Sequence, residues 1–299
     1  MTVTTSAPGI TAWGPLAEPL HDDAAGPGDP IWKDNAYLSY WDVERRVFGS
    51  FHFSTSPNGE GARRARCSLL VDGAEIEIIE PLERGSFTSE SLSFGLDGTI
   101  TVDHPELQAQ FVNAPLHSPA DFSLHDLIPP LVPGKPLQHF QQACTMQGSI
   151  TLRGTTTGVN GFGMRDRTWG FRDESAQWAE YAGLVAVFGQ SFLSVMKFLG
   201  ADGTLATDGY LIDPAGSHHI ADVTFRRTAA AQFLAARFTL DSGVEHTCMM
   251  SSRDAGFFVP MGAETEGPAF GTYDDFMTLE LDGRPGAGFF EQGIVHRVH

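Results

Sequence analysis

Hydrophobic and polar positions alternate in short runs along most of this chain, and turn sequences separate the runs. Such alternation is typical of β-strands that bury one face. From Asn35 onward, the first half of the chain predicts strands at 37–43, 47–54, 65–71, 75–79, 87–94, 99–102 and 107–112. Asp72-Gly73 and Asp97-Gly98 separate several of these strands, as hairpin turns require. No convincing helical pattern of ten residues appears in this half.

The second half of the chain repeats the strand pattern. It predicts strands at 139–152, 161–169, 180–188, 192–199, 209–212, 222–226, 233–240, 245–251, 275–281 and 286–298. Residues 229–238 also fit a helix, but the flanking strands favour a strand there at least as strongly. Many short strands with a turn signal about every ten residues are typical of β-sandwiches and closed barrels.

Two β domains joined by a proline-rich segment are the predicted organisation. Residues 1–34 are rich in Pro, Gly, Ala and Asp, which predicts an extended arm. Four prolines lie between residues 129 and 136, and proline cannot donate to a central sheet ladder. We therefore predict a first domain at 35–128, a linker at 129–138 and a second domain at 139–299. The predicted fold class is all-β, with two antiparallel barrels or sandwiches in tandem.

One segment interrupts the apolar strands with charge. Residues 161–173 contain three arginines, two aspartates, a tryptophan and three glycines. Successive side chains of a strand point to opposite faces, so Arg165, Arg167 and Trp169 are predicted on one face and Asp166 and Thr168 on the other. A strand that carries charge on both faces either lines a polar cavity or holds a buried ion pair.

Composition and charge limit the classes of partner. The chain has 299 residues, of which 41% are hydrophobic, and its 22 phenylalanines either form a large aromatic core or partly line an apolar ligand cavity. The 19 basic and 37 acidic side chains give a formal net charge of −18. Because that charge repels phosphate backbones and anionic lipid surfaces, we expect no nucleic-acid partner and no stable membrane insertion. The expected partner is a hydrophobic small molecule, bound by a monomer or a homodimer.

Known catalytic and metal-binding motifs are absent from the sequence. There is no phosphate-binding loop, no GxSxG elbow and no HExxH motif. The three cysteines are far apart and odd in number, which favours reduced thiols, and no secretory or membrane-spanning segment is visible. His218 and His219 are neighbours in a strand and cannot chelate one ion together. The sequence therefore predicts a cytoplasmic protein without a metal or another cofactor.

Asp166 is the first candidate for chemistry. Structurally, its carboxylate would pair with an arginine and stiffen the wall of a barrel. Functionally, apolar surroundings would raise its pKa, so that it donates a proton near neutral pH. Trp169 would then offer a π face to a developing carbocation. Arg165 is the neighbouring candidate for contact with a ligand.

Further candidates come from polar and aromatic side chains in apolar strands. Tyr181 and Glu291 are candidate catalytic residues, at the start of one strand and after an aromatic pair in another. Ligand sites often form at domain interfaces, and two histidines flank the predicted linker. The remaining candidates for substrate contact are His125, His139, Tyr40, Phe188 and Phe192. For Tyr40, packing in the core is the default interpretation.

The charged segment also carries a family resemblance. Its run Gly-x-Arg-Asp-x-Thr-Trp-Gly at 163–170 resembles the G-x-R-D-x-S/T-W-G signature of proteins similar to carotenoid 1,2-hydratase (hydroxyneurosporene synthase) and AttH. Further matches are the segments 35–42, 139–142 and 286–291. The resemblance covers most of the chain after residue 34, and the group is functionally mixed.

The resemblance implies two lipocalin-like (calycin-type) β domains with an apolar cavity. It implies cofactor-free chemistry, in which Asp166 protonates an alkene or a carbonyl of a terpenoid, steroid or polyketide-like substrate. The expected function is thus a lyase or isomerase of the hydratase, dehydratase or cyclase type. The alternative is a carrier that binds a similar hydrophobic molecule without changing it.

Overall fold

The computed structural model describes residues 12–125, 127–260 and 269–296, and this part of the chain is nearly all strand. The strands are β1 (Trp32–Asp42), β2 (Val47–Thr55), β3 (Arg64–Val71), β4 (Ala74–Pro81), β5 (Leu92–Phe94), β6 (Thr99–His104), β7 (Leu107–Pro115), β8 (Ala120–Asp121), β9 (Gln138–Leu152), β10 (Thr155–Phe171), β11 (Trp178–Phe188), β12 (Ser191–Gly200), β13 (Leu205–Asp213), β14 (Gly216–Arg227), β15 (Phe233–Leu240), β16 (Glu245–Pro260), β17 (Ala269–Leu281) and β18 (Arg284–His296). The helical elements are one α-helix, α1 (Glu174–Gln177), and two 3-10 turns, Gly14–Ala17 and Glu60–Ala62. None of these helices is long and apolar enough to cross a membrane.

The strands form two antiparallel sheets. The first has the order β4-β3-β2-β1-β10-β9-β7-β6-β5, with β8 paired to β9. The second is a closed barrel of eight strands that runs from β11 to β18 in chain order. The prediction of an all-β fold with two antiparallel β domains is confirmed.

The change of sheet does not coincide with the proline-rich segment. Strands β9 and β10 follow that segment but belong to the first sheet, where Phe171 pairs with Trp32. The prolines do interrupt the ladder, as expected, but they lie in an excursion between β8 and β9. The first sheet gives way to the barrel at α1, so the predicted boundary at 129–138 is wrong.

The first strand also begins before the predicted residue 35, and residues 1–11 of the predicted arm lie outside the described part of the chain.

Two Asp-Gly hairpins have the backbone geometry that their sequences require. At Asp72-Gly73, between β3 and β4, φ is 45° and 86°. At Asp282-Gly283, between β17 and β18, φ is 49° and 80°. Two-residue turns with positive φ at both positions match the right-handed twist of the flanking strands. These turns therefore fix the register of both hairpins.

Three apolar clusters fill the molecule. One lies on one face of the first sheet and includes Leu38 and Phe111. Another joins the opposite face of that sheet to the barrel and includes Trp41 and Phe289. The third contains residues such as Phe233 from all eight barrel strands, and so it fills the barrel interior. The contact between the first sheet and the barrel is consequently made by the outer face of the barrel.

The segment before β1 is held to the first sheet by contacts with a buried ion pair between β10 and β1. Arg167 pairs with Asp34, and both side chains are almost completely buried. The guanidinium also donates to the carbonyl of Glu18 at 2.9 Å, and His21 Nδ1 lies 2.9 Å from Asp34 Oδ2. The predicted structural role of an arginine in the charged segment is thus observed at Arg167.

Loss of this ion pair is expected to destabilise the fold strongly. Arg167→Ala leaves the buried Asp34 carboxylate without its guanidinium, which typically costs about 3–5 kcal/mol of unfolding free energy. In the control Arg153→Ala, an exposed pair with Glu106 is lost, and we expect a change below about 1 kcal/mol. Urea denaturation of both variants measures the difference. Equal small losses would contradict a structural role for Arg167.

Candidate functional site

A cavity of about 70 Å³ lies between the first sheet and the outer face of the barrel. From the first sheet it is lined by Asn35, Tyr37, His52, His139, Gln141, Met164, Asp166 and Thr168. From the barrel it is lined by Trp178, Tyr181, Met196, Phe198, Val259 and Glu291. Ile128 and Arg172, which lie outside the strands, complete the lining. Polar groups thus face one another inside a largely apolar enclosure.

Seven polar side chains of the first sheet reach the cavity because the strand register aligns them in two neighbouring rows. They are His52, Tyr37, Asp166 and Gln141 in one row, and Asn35, Thr168 and His139 in the next. Residues that pair across antiparallel strands lie on the same face of the sheet. The register, rather than any contiguous motif, therefore assembles this wall.

The face opposite the cavity receives Arg165, Arg167 and Trp169 of the charged segment. Arg165 lies over the rings of Trp13 and Phe94, at 4.6 and 4.3 Å from their centroids. Trp169 packs against the apolar cluster of that face. The predicted division of β10 into two faces is confirmed. It also means that Arg165 and Trp169 do not line this cavity.

Asp166 is held by three hydrogen-bond partners. His139 Nε2 lies 2.6 Å from Asp166 Oδ2, Thr168 Oγ1 donates to Oδ1 at 2.8 Å, and Gln141 Nε2 donates to Oδ2 at 3.3 Å. Gln141 is oriented in turn by Ser194 of the barrel, whose hydroxyl donates to Gln141 Oε1 at 2.5 Å. The two domains thus contribute to one hydrogen-bonded network.

These partners decide the charge of Asp166. Burial raises the pKa of this carboxyl, but the charge of His139 and the hydrogen bonds from His139, Thr168 and Gln141 outweigh burial and lower the pKa below its usual range. Asp166 is therefore ionised at neutral pH. The prediction that apolar surroundings raise its pKa is wrong, because the sequence did not reveal its hydrogen-bond donors.

Glu291 on the opposite wall is paired with a second carboxyl group, the buried Asp274. Asp274 and Glu291 are cross-strand partners on β17 and β18. The Tyr181 hydroxyl donates to Glu291, and the Tyr37 hydroxyl reaches across from the first sheet to donate to Asp274 Oδ2 at 2.6 Å. Each carboxyl group therefore has a tyrosine donor and an acidic neighbour.

Both members of this pair have raised pKa values. Burial raises the pKa of Glu291 well above its usual range, and the charge of Asp274 raises it further, against the opposing hydrogen bond from Tyr181. Burial also raises the pKa of Asp274, to about 6. Two carboxylates this close do not both ionise readily, and the raised pKa favours the protonated form of Glu291. The cavity thus has a carboxyl group with a lowered pKa on one wall and a carboxyl group with a raised pKa on the other.

Glycine at position 293 allows Tyr181 to reach Glu291. Gly293 pairs with Tyr181 across β18 and β11, and the tyrosine ring lies over it. A Cβ atom at Gly293 would lie 2.2 Å from Tyr181 Cε1, which no side chain tolerates. Any larger residue at 293 would therefore displace the ring and its hydroxyl from the cavity.

Next to Tyr37, His52 contributes a neutral imidazole to the cavity. Burial lowers its pKa to about 3, with further lowering by the positive charges of Arg64, Arg172 and Arg66. Its Nδ1 atom is buried and has no hydrogen-bond partner among the described residues. A bound molecule that offers a polar group is therefore able to satisfy this atom.

The structure brings four of the predicted site residues together. These are Asp166, Tyr181, Glu291 and His139, which all line the cavity. Tyr40 and Phe188 belong to the core of the first sheet and to the barrel interior, while Phe192 packs between the sheets without lining the cavity. Strand alternation directs Tyr40 and Phe188 away from the cavity, whereas Phe192 lies on the same barrel face as the lining residues Met196 and Phe198. His125 lies outside the cavity beside Asp208, and its neighbour Asp126 lies outside the described residues.

Several important side chains were not predicted as functional. They are Tyr37, His52, Gln141, Thr168 and Asp274. For Tyr37, the available signal was its polar hydroxyl close to Asn35 in the sequence. Asp274 and Asp275 lie next to each other in the middle of the largely apolar β17, which is an unfavourable place for charge unless a partner is present.

The chain belongs to a family described as "Domain of unknown function (DUF7064)", whose model matches residues 17–294. Comparison with curated protein sequences finds no match. The family description leaves the activity open, so the geometry of the site has to indicate it.

Three solved structures share the fold at low sequence identity. A Nitrosomonas europaea protein assigned as AttH has a TM-score of 0.64 and 17% identity over 96% of this chain and 98% of its own. CghA, also solved with Sch210972, has a TM-score of 0.61 and 10% identity over 90% and 89%. Kievitone hydratase from Nectria haematococca has a TM-score of 0.55 and 11% identity over 89% of each chain. The resemblance to the AttH-like, lipocalin-like fold is confirmed.

The carboxyl pair is expected to make stability depend on pH. A carboxyl whose pKa is higher in the folded state binds more protons there than in the unfolded state, so the unfolding free energy falls as pH rises. Because the Asp274 pKa is raised from 3.8 to about 6, the unfolding free energy falls between these two pH values. The raised pKa of Glu291 extends the fall to higher pH. Asp274→Asn should flatten this slope between about pH 4 and pH 7.

Urea denaturation across the pH series measures both slopes. Asp222→Asn is the control, because that carboxyl is exposed on β14. If Asp274→Asn and the native protein lose stability with the same slope, the raised pKa of the pair is refuted.

Proposed function

We propose that this member of the DUF7064 family is an acid–base lyase that adds water to, or removes water from, a hydrophobic substrate held between the two domains. The observation that carries the proposal is that Glu291, whose pKa is raised, lines one cavity with Asp166, whose pKa is lowered, and with its partner His139. Two titratable groups whose pKa values are driven apart are the usual arrangement of an acid and a base in one active site. The proposed chemistry needs no cofactor, because side chains supply the donor and the acceptor.

In the hydration direction, Glu291 is the proton donor. The electron pair of a substrate double bond forms a C–H bond with the Glu291 proton, and the adjacent carbon becomes cationic. The Glu291 carboxylate that remains after donation lies beside the carboxyl group of Asp274. Repulsion between the two groups alone would disfavour the proton transfer. The hydrogen bond from the Tyr181 hydroxyl stabilises that carboxylate and so assists the transfer.

The opposite wall completes the reaction. The negative charge of Asp166 stabilises the cationic carbon across an enclosure of low dielectric constant. Water adds through its oxygen, and the proton that it loses passes to the His139–Asp166 pair. Return of one proton to Glu291 restores the site, so the net change is the addition of one water molecule. Dehydration runs through the same steps in reverse.

The apolar lining supports a hydrophobic substrate. Met164, Met196, Phe198 and Val259 surround the polar groups and limit the access of bulk water. The substrate classes that we propose are terpenoids, steroids and polyketide-like molecules. Two fold neighbours support this proposal by name, a kievitone hydratase and a CghA structure with Sch210972.

Glu291→Gln should abolish most of the turnover. The amide keeps the shape and can still accept the Tyr181 hydrogen bond, but it has no acidic proton, and loss of a general acid typically lowers kcat about 10²–10⁴-fold. Glu280→Gln is the matched control, because Glu280 is exposed on β17. Full activity of Glu291→Gln would remove Glu291 from the mechanism.

The assay begins with the molecule that co-purifies with the protein, identified by mass spectrometry. That molecule, kievitone and a panel of isoprenoid alcohols and steroids are then incubated with the native protein. Liquid chromatography with mass detection follows the gain or loss of one water. A product of unchanged mass would indicate cyclisation or isomerisation instead of hydration.

The Asp166→Asn variant distinguishes an enzyme from a non-catalytic carrier. In an enzyme, the neutral amide no longer stabilises positive charge, so kcat should fall about 10²-fold or more while ligand affinity changes little. The control Asp103→Asn alters an exposed carboxyl of the first sheet and should behave like the native protein. A native protein that binds the co-purifying molecule and never converts it would instead support the non-catalytic carrier.

A further inference from the structure

A second group of polar side chains lies outside the cavity, where the segment before β9 meets the barrel. His125 Nδ1 lies 3.2 Å from Asp208 Oδ2, and His219 Nε2 lies 3.0 Å from Asp208 Oδ1. The two imidazole rings are 4.4 Å apart between centroids. One ligand atom from each of the three residues falls within 4.8 Å of the other two. Three side chains that are distant in sequence thus place two imidazole nitrogens and a carboxylate, all possible metal ligands, close together.

The charges at this point are not balanced. Asp208 is completely buried, and within the described residues the ion pairs recorded for it involve only these two histidines. Its remaining partner is the backbone N–H of Gly209 at 2.7 Å. A buried carboxylate requires a compensating positive charge, because its burial otherwise costs several kcal/mol.

His219 also points to a missing positive charge, because it contacts two carboxylates. Its Nδ1 atom lies 2.9 Å from Asp241 Oδ2, while its Nε2 atom faces Asp208. A neutral imidazole has one N–H donor and one lone pair, so it satisfies only one of two carboxylates. If Nδ1–H donates to Asp241, the Nε2 lone pair and the Asp208 oxygen face each other. A cation held by both atoms resolves that repulsion.

We propose that His125, Asp208 and His219 bind a divalent transition-metal ion such as Zn²⁺. Two imidazoles and one carboxylate suit zinc, cobalt or nickel, and not the hard cations calcium and magnesium. With metal–ligand bonds of about 2.0–2.1 Å, neighbouring ligand atoms are about 3.0–3.4 Å apart. Each imidazole nitrogen lies 3.0 or 3.2 Å from a different oxygen of Asp208, so the carboxylate would serve the ion with both oxygens. The carboxylate of Asp241 on the far nitrogen of His219 is the usual outer partner of a metal-bound imidazole.

The remaining coordination positions would be filled by water. The side chain of His125 is 45% exposed, so the site opens to solvent and an ion is able to enter. His218 does not belong to the site, because neighbours on β14 point to opposite faces, and its Nε2 atom lies 3.8 Å from Asp213 instead. This supplies a matched control in the adjacent residue.

The site would fasten the segment between β8 and β9 to the barrel. That segment carries His125 and also Ile128, which lines the cavity. A hydrogen bond from Tyr210 of β13 to the carbonyl of Asp121 already joins the two parts at 2.7 Å. A bound ion would thus hold one wall of the cavity in place, and this role does not depend on the catalysis proposed above.

The experiment uses the full chain without an affinity tag, stripped with a chelator and titrated with Zn²⁺ in a calorimeter. A parallel titration with Co²⁺ records the visible absorption of a cobalt ion bound by nitrogen and oxygen. We expect saturable binding of one ion per chain and an increase in Tm. His125→Ala should weaken Zn²⁺ binding by at least tenfold, Asp241→Asn should weaken it about 10–100-fold, and His218→Ala should leave it unchanged.

Each result decides the proposal. Absence of saturable Zn²⁺ binding to the native chain would mean that a proton on His219 supplies the positive charge, and the metal site would be overturned. Equal affinity in His125→Ala and His218→Ala would overturn it as well. Because His125 is partly exposed, its variant keeps the test valid even if replacement of the buried Asp208 prevents folding.

Discussion

The strict alternation of side chains along β10 is the constraint on which the rest of the molecule depends. This strand is paired on both sides, with β1 and β9, so a shift of one residue would exchange its two faces. In the observed register, Arg165 and Arg167 enter the packed core of the first sheet. Asp166 enters the cavity. The same residues in the opposite register would place two arginines against the barrel and leave the Asp34 carboxylate buried without its partner.

The cavity shows how environment gives opposite properties to similar groups. Asp166 has partners on three side chains, one of them a histidine, and its pKa is lowered. Glu291 has one hydroxyl donor and an acidic neighbour, and its pKa is raised. Burial raises the pKa of both carboxyl groups, so the difference between them comes from the donors and charges around each one. The first sheet provides the donors, and the barrel provides the second carboxyl.

Local features of this fold were predictable from sequence, and pairings between distant residues were not. Hairpin turns, strand positions and the two faces of β10 follow from neighbouring residues. By contrast, the hydrogen bond between Tyr37 and Asp274 joins residues that are 237 positions apart. The proline-rich segment was read as a domain boundary because it interrupts a ladder, but a ladder is equally interrupted by an excursion within one sheet. Only the pairing of β9 and β10 with the first sheet distinguishes these cases.

The aromatic candidates failed for a different physical reason. Both faces of β11 and β12 are buried, one in the barrel interior and one against the first sheet, so apolar residues such as Phe188 and Phe192 are stable on either. Their sequence pattern cannot distinguish core from cavity. A buried carboxyl group is different, because it requires a donor, a neighbouring cation or a proton. In a β protein whose strands are covered on both faces, acidic and imidazole side chains inside apolar strands therefore locate a site better than aromatic ones.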